Sequence, residues 1–229
     1  MRTSWEAISR REFLARSAAL AGAGMLGCSD SPESPSTGGL EHIIIVTMES
    51  RSFDHLLGWV PGAEGRQAGL VFADRDGISR ATYRLTQTHG CGFADLGHSY
   101  EDGRVAYNGG ACDGWLKVEG NDLHAIGYYE SADLPFLSRA ATQWTVLDRY
   151  FAPIMAPTFP NRIIALAGQT DRVVSSQIPC GLPTIWDRLA AKNLVGRTYG
   201  ELTTSHLWGL TYLPLVRPIS AFYSDAAAG

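Results

Sequence analysis

Two short segments hold side chains whose types and spacing could do chemistry. The first is Glu49-Ser50-Arg51-Ser52-Phe53-Asp54-His55, which follows a β-branched run, Ile43-Ile44-Ile45-Val46-Thr47-Met48. If that run is a strand of an open α/β sheet, Glu49 lies beyond its carboxyl end, where such sheets bind ligands. A carboxylate there is placed to hold a divalent cation through oxygen. Taken singly, plainer readings are favoured: Glu49 as a solvated loop acid, Asp54 and His55 as a helix cap or surface pair. The second segment is Ala156-Pro157-Thr158-Phe159-Pro160-Asn161-Arg162. Here Thr158 would sit at a helix amino terminus, where backbone N–H groups and the positive dipole end face a phosphate. A hydroxyl held there and bound to a metal can act as a nucleophile, and Arg162 can clamp phosphate oxygens. Local pattern alone favours a simpler role, with Thr158 as a helix cap and Pro160 as the first-turn proline.

The elements that must position these groups follow from periodicity and punctuation. Ile43 to Met48 reads as a strand buried on both faces. A short helix is expected from Phe53 to Leu57, capped by Ser52 and stopped by Gly58. Val60 to about Asn121 reads as Gly-rich loop with weak strands. Asp133 is expected to cap a helix with Pro135 in its first turn, running to about Gln143. Thr145-Val146-Leu147 reads as a strand, and Pro160 to Ala167 as a helix stopped by Gly168. Val173-Val174 reads as a brief strand. Ile185 to Lys192 reads as an amphipathic helix with Ile185, Leu189 and Ala190 on one face. Strands alternating with helices predict an α/β fold with a largely parallel sheet.

The ends of the chain bound its class. Ser9-Arg10-Arg11-Glu12-Phe13-Leu14 precedes a run of small residues, Ser17 to Gly27, that is too short to span a bilayer. Residues 1–28 therefore read as an export signal of the twin-arginine type, which would engage that export machinery. Met25-Leu26-Gly27 before Cys28 loosely resembles a lipoprotein processing site, so Cys28 is a candidate for lipidation, with simple cleavage nearby as the alternative. Residues 29–39 read as a Ser/Pro/Gly tether, and the folded domain is expected over residues 40–229. The expected location is outside the cytoplasm: periplasmic, anchored to the cell envelope, or secreted. The formal charge is −4, and loss of the Arg-rich leader leaves the rest more acidic. An acidic chain without a basic cluster argues against nucleic-acid binding, and no later segment is long and apolar enough to cross a membrane. Cys91 and Cys112 both lie in Gly-rich sequence and form the candidate disulfide, the alternative being unpaired thiols. No cysteine spacing is that of a zinc site.

The longer blocks carry a resemblance. "EHIIIVTMESRSFDHLLGWVPG", "GHSYEDGRVAYNGGACDGWL", "GYYESADLPFLSRAATQWTVLDRYFAPIMAPTFPNRIIALAG" and "PTIWDRLAAKNL" occur in that order between Glu41 and about Tyr199. Together they resemble the bacterial phosphoesterase family that contains phospholipases C and acid phosphatases, and four ordered blocks are far more specific than one motif. The resemblance implies an alkaline-phosphatase-like α/β core and a divalent metal ion, its identity open. By position, Glu49 matches the family's metal-binding Glu, and Thr158 its Ser or Thr nucleophile, which also contacts the metal. His98 matches a His near the scissile phosphate, with a backbone-satisfied loop His as the alternative. Arg162 and Asn161 are the candidate substrate-binding residues. Ser50 stands where the family usually has Asn, a shorter ligand that weakens the metal site.

The family's later acidic pair and nearby histidines have no counterpart after Leu194, so the chain reads as an amino-terminal part of such a domain. The implied function is hydrolysis of a phosphodiester in the phospholipase C manner, on a phospholipid or small phosphate ester. The block "NGGACDGW" and the Thr in "PTFPNR" favour that branch over acid phosphatase. The alternatives of another class are an inactive fragment and a lipoprotein that binds phosphorylated ligands.

Overall fold

The computed structural model describes residues 40–49, 51–86, 95–200 and 204–228. The chain divides into two units, Met1–Thr47 and Met48–Gly229. In the first unit, Leu40 to Thr47 runs without regular secondary structure, and Ile43 to Val46 are exposed. The strand expected over this run is therefore not formed. A β-branched segment becomes a strand only when a second strand takes up its backbone N–H and C=O groups, and no described residue does so here.

In the second unit the elements follow in the order α1 (Phe53–Leu57), β1 (Val71–Ala73), β2 (Ser79–Ala81), β3 (Tyr83–Arg84), α2 (Tyr100–Tyr107), β4 (Gly127–Tyr128), α3 (Pro135–Gln143), α4 (Thr158–Ala167), α5 (Ile185–Ala190), β5 (Thr198–Tyr199), β6 (Val216–Arg217) and α6 (Ile219–Ala228). Short 3-10 turns lie between several of them. The strands pair two by two: β1 with β2 antiparallel, β3 with β4 parallel, β5 with β6 parallel. The class is thus mixed α/β, as expected, but the described strands form separate pairs instead of one largely parallel sheet. Thr145 to Leu147 and Val173-Val174 are not strands. Both are short runs, and each lacks a neighbouring strand among the described residues.

Helix ends follow local chemistry closely. The Ser52 hydroxyl accepts the His55 N–H at 3.1 Å and caps α1, as predicted, and Gly58 follows its last turn. Helix α3 begins at Pro135 behind Leu134, one residue later than the Asp133 cap predicted. Asp133 closes the preceding 3-10 turn instead, where its carboxylate accepts the Glu130 N–H and receives the Arg84 guanidinium. Helix α4 ends at Gly168, whose φ of 74° is the left-handed conformation that a helix-stopping glycine supplies without strain.

The core gathers on α4 and α5. Ile163 is fully buried and packs with Cys180, Trp186, Leu207, Trp208 and Tyr212, flanked by Phe159, Leu166 and Leu189. The buried face of α5 is therefore Trp186 with Leu189, while Ile185 is exposed. The predicted face was off by one position, because the large indole gains more from burial than the isoleucine. Helix α5 opens on a capping box: the Thr184 hydroxyl accepts the Trp186 N–H, and the Asp187 carboxylate accepts the Thr184 N–H at 2.6 Å. The Tyr212 hydroxyl donates to the same carboxylate oxygen at 2.7 Å, tying the cap to the aromatic core.

The Thr184 N–H and then the Tyr212 hydroxyl hold the Asp187 carboxyl below its ordinary range. A depressed folded-state pKa contributes stability that is present above the unfolded value of about 4 and is lost as pH falls through the folded value. Asp187→Ala is therefore expected to cost about 1–2 kcal/mol at pH 7, with the gap from the parent narrowing at about pH 3. Urea denaturation at the two pH values checks this.

Candidate active site

The site is built on the first turn of α4. Pro157 is the N-cap residue, with extended backbone and no side-chain cap, so Thr158 is the first helical residue. The simpler role for Thr158, a cap, is thus not the one it has. Its hydroxyl has no hydrogen-bond partner among the described residues. The turn is anchored from below: Pro160 and Ile163 are buried, so the face carrying Thr158 and Arg162 is turned the other way on the 3.6-residue repeat.

Asn161 braces the entry to this turn. Its Nδ2 donates to the carbonyls of Ala156 at 3.0 Å and Pro157 at 3.2 Å. Two carbonyl acceptors on one side of the amide fix which end is the nitrogen. The Asn161 Oδ1 is buried and has no partner among the described residues. Asn161 thus uses its donor on the loop that delivers Thr158. Helix α2 supports the same loop from another side. A Cβ at Gly103 would lie 2.4 Å from the Met155 carbonyl oxygen, so only glycine allows this approach, and Arg104 reaches that carbonyl at 3.5 Å.

Arg162, one turn after Thr158, is joined through Nε to the Glu49 carboxylate oxygen Oε1. The pair links positions 113 apart in the sequence, and both side chains are about one-third accessible. The structure therefore brings together Thr158, Asn161, Arg162 and Glu49 of the predicted site. The Glu49–Arg162 pairing itself was missed by sequence reading. Its local signals were an acid after an apolar run and an arginine four residues after a hydroxyl.

His98 stands in the loop leading into α2, mostly exposed, with Nδ1 2.7 Å from the Leu96 carbonyl and 3.8 Å from Asp95. A carbonyl only accepts, so Nδ1 carries the proton in this contact. Among the described residues no hydrogen bond or ion pair joins His98 to Thr158, Arg162 or Glu49. Asp54 and His55 have structural partners. Asp54 accepts the Arg66 N–H at 2.8 Å, and His55 Nδ1 lies 2.8 Å from the Gly127 carbonyl with its ring edge-on to Tyr129. Ser50, Cys28 and Cys91 lie outside the described residues, so the lipidation and disulfide expectations do too. Cys112 is exposed and Cys180 buried.

A divalent ion needs several ligands: zinc takes four, and calcium six to eight. Among the described residues no group of three His, Cys, Asp or Glu side chains could hold one. The one carboxylate expected as a ligand, Glu49, already has a guanidinium on its oxygen. Glu49 and Thr158 are the two expected ligands among the described residues, too few by themselves to hold a metal ion. Around Thr158 the described donors fit an oxyanion: a helix amino terminus, an open hydroxyl and an arginine on one helix face.

Comparison with known proteins agrees with that chemistry. The profile of the Phosphoesterase family matches residues 40–224. The chain is similar to Phospholipase C B of Mycobacterium tuberculosis (strain ATCC 25618 / H37Rv), 30% identical over 202 residues, covering 72% of this chain and 39% of that protein. Hemolytic phospholipase C of Pseudomonas aeruginosa is 24% identical over 200 residues, covering 75% of this chain and 27% of that protein. Non-specific phospholipase C6 of Arabidopsis thaliana is 27% identical over 176 residues, covering 68% and 34%. The chain thus spans well under half the length of these curated relatives. No helix among the described residues is long and apolar enough to cross a membrane. With the match running through Glu49, Thr158 and Arg162, the chain belongs to the Phosphoesterase family.

Proposed function

We propose that this chain carries the nucleophile half of a phospholipase C-like phosphodiester hydrolase, with Thr158 as the attacking group. The observation that carries the reading is the Thr158 hydroxyl. It stands at the first position of α4, unused by capping and next to an arginine on the same face. Phospholipase C relatives from three organisms support a phospholipid as the substrate. The described α/β elements are read as part of an alkaline-phosphatase-like core.

In this reading a phosphodiester lies with its anionic oxygens on the Arg162 guanidinium and the first N–H groups of α4. The Thr158 oxygen forms a new bond to phosphorus as the bond to the leaving alcohol oxygen breaks. The Thr158 hydroxyl proton passes to the departing alkoxide, with His98 as the proposed carrier: its Nε2, unprotonated in the Nδ1–H form, takes the proton and returns it as the alcohol leaves. Water then attacks the phosphothreonine, releasing the phosphorylated head group and restoring the hydroxyl. Asn161 holds the loop that sets the angle of attack. In this reading Glu49 and Thr158, with ligands from outside the described residues, would hold a divalent metal ion, which would neutralise phosphate charge and favour ionisation of the attacking hydroxyl. Export by the twin-arginine route and attachment through Cys28 belong to the same proposal. They would place the enzyme where envelope or host phospholipids are found.

Purified protein should hydrolyse a chromogenic phosphodiester faster than the matching monoester, with divalent ions tested in parallel. Monoester preference would favour the acid phosphatase branch instead. No turnover with any metal would sink catalysis by this chain and leave the phosphate-binding or inactive reading.

A further inference from the structure

We infer that Gly103 and Asn161 are positioning residues for Thr158: they grip the Met155-Ala156-Pro157 carbonyls from two helices and so set where the attacking hydroxyl stands. The inference rests on the reading of Thr158 as the nucleophile and goes beyond it, because neither residue needs to touch substrate. Three consecutive carbonyls lead into the first turn of α4, and all three are engaged. Asn161 Nδ2 donates to those of Ala156 and Pro157 at 3.0 and 3.2 Å. Its donors are thus spent on backbone, which argues for bracing over contact with a substrate. The Met155 carbonyl lies against α2, where Gly103 meets it and Arg104 reaches it at 3.5 Å. The Arg104 guanidinium is itself steadied over the rings of Tyr100, 4.6 Å from the centroid, and Tyr107, 5.7 Å.

A glycine inside a helix costs stability, so its place there needs a reason. Gly103 is the fourth residue of α2 (Tyr100–Tyr107). A side chain at this position would strike the Met155 carbonyl oxygen and lie 3.0 Å from the Met155 Cβ. Close approach alone is common in this chain: Gly114 presses on the Val105 carbonyl in the same way. What distinguishes Gly103 is the carbonyl it meets, three residues before Thr158.

An added methyl at 103 moves the loop and not the helix, because α2 is fixed at both ends. At its start Ser99 and Asp102 form a capping box, each side chain accepting the other's N–H at 3.0 Å. At its end the Cys112 and Gly114 N–H groups hold the Tyr107 and Ala106 carbonyls at 3.0 and 3.2 Å. The Met155 loop therefore has to retreat by about 1 Å to reach ordinary contact. Displacing a reacting group by that much costs on the order of 10²-fold in rate. The capped start of α2 also follows directly on His98, so this one helix joins the His98 loop to the loop that delivers Thr158.

The test is steady-state kinetics of the full chain on a chromogenic phosphodiester, with the divalent ion that best supports the parent, paired with hydrogen exchange. Gly103→Ala is expected to lower kcat about 10²-fold and Asn161→Ala about tenfold or more, each with KM within about threefold of the parent. Amides over residues 154–159 should exchange about tenfold faster in both variants, while those of α5 keep the parent rate. Melting curves by circular dichroism check that each variant is folded. Asn161→Asp, which keeps the size and loses the amide donors, serves if either is not. A KM rise with kcat kept would make Asn161 a substrate ligand and overturn the inference. Gly103→Ala with kcat within about threefold of the parent, or a lower kcat without faster exchange of the loop, would overturn it as well. No turnover by the parent is a separate result: it sinks the hydrolase reading, and the inference with it, whatever the exchange rates.

Discussion

Thr158→Ala is expected to abolish phosphodiester turnover while leaving the fold intact. Removing the nucleophile of a covalent mechanism costs on the order of 10³-fold or more in turnover, since no second group can form the phosphoenzyme. The stability change should stay within about 0.5 kcal/mol. The lost hydroxyl has no partner among the described residues, and alanine is a better helix former than threonine. Thr158→Ser restores a hydroxyl at the same place and should recover turnover to within about tenfold. Initial rates on a chromogenic phosphodiester, paired with melting curves, check all three statements. Equal rates for Thr158→Ala and the parent would remove Thr158 from the chemistry.

The second large effect is structural and comes from the same helix. Ile163→Ala should lower stability by about 3 kcal/mol, the middle of the range for emptying a fully buried aliphatic site. Ile163 is fully buried and lies in the cluster with Trp186, Leu207, Trp208 and Tyr212. Rigid aromatic neighbours refill a cavity poorly, which keeps the cost from falling to the transfer term alone. For a domain of this size the loss corresponds to a melting temperature lower by roughly 10 °C. A shift under about 2 °C would mean that α4 is not anchored there. The two predictions separate cleanly, one acting on turnover with stability kept, the other on stability through the opposite face of α4.

What could be read in the sequence was mostly local. Ser52, Pro135 and Gly168 mark helix ends through their own backbone chemistry, and α1, α3 and α4 lie within about two residues of the expected bounds. The Thr158 segment was legible because proline, asparagine and arginine stand at helix-start spacing. What failed depended on partners far along the chain. Ile43 to Val46 has strand composition, yet no described strand lies beside it. The buried face of α5 turned on whether Trp186 or Ile185 met the aromatic residues at 207 to 212, which helical periodicity alone does not say. The Glu49–Arg162 pair spans 113 positions. No local pattern shows it.

The central claim is that Thr158 becomes covalently phosphorylated during turnover. Intact-protein mass spectrometry of the chain, acid-quenched while hydrolysing a phosphodiester, tests this directly. The account predicts a mass increase of one phosphoryl or head-group phosphoryl unit, mapped by peptide fragmentation to Thr158 and missing in Thr158→Ala. Turnover with no adduct, or an adduct on any other residue, would contradict it.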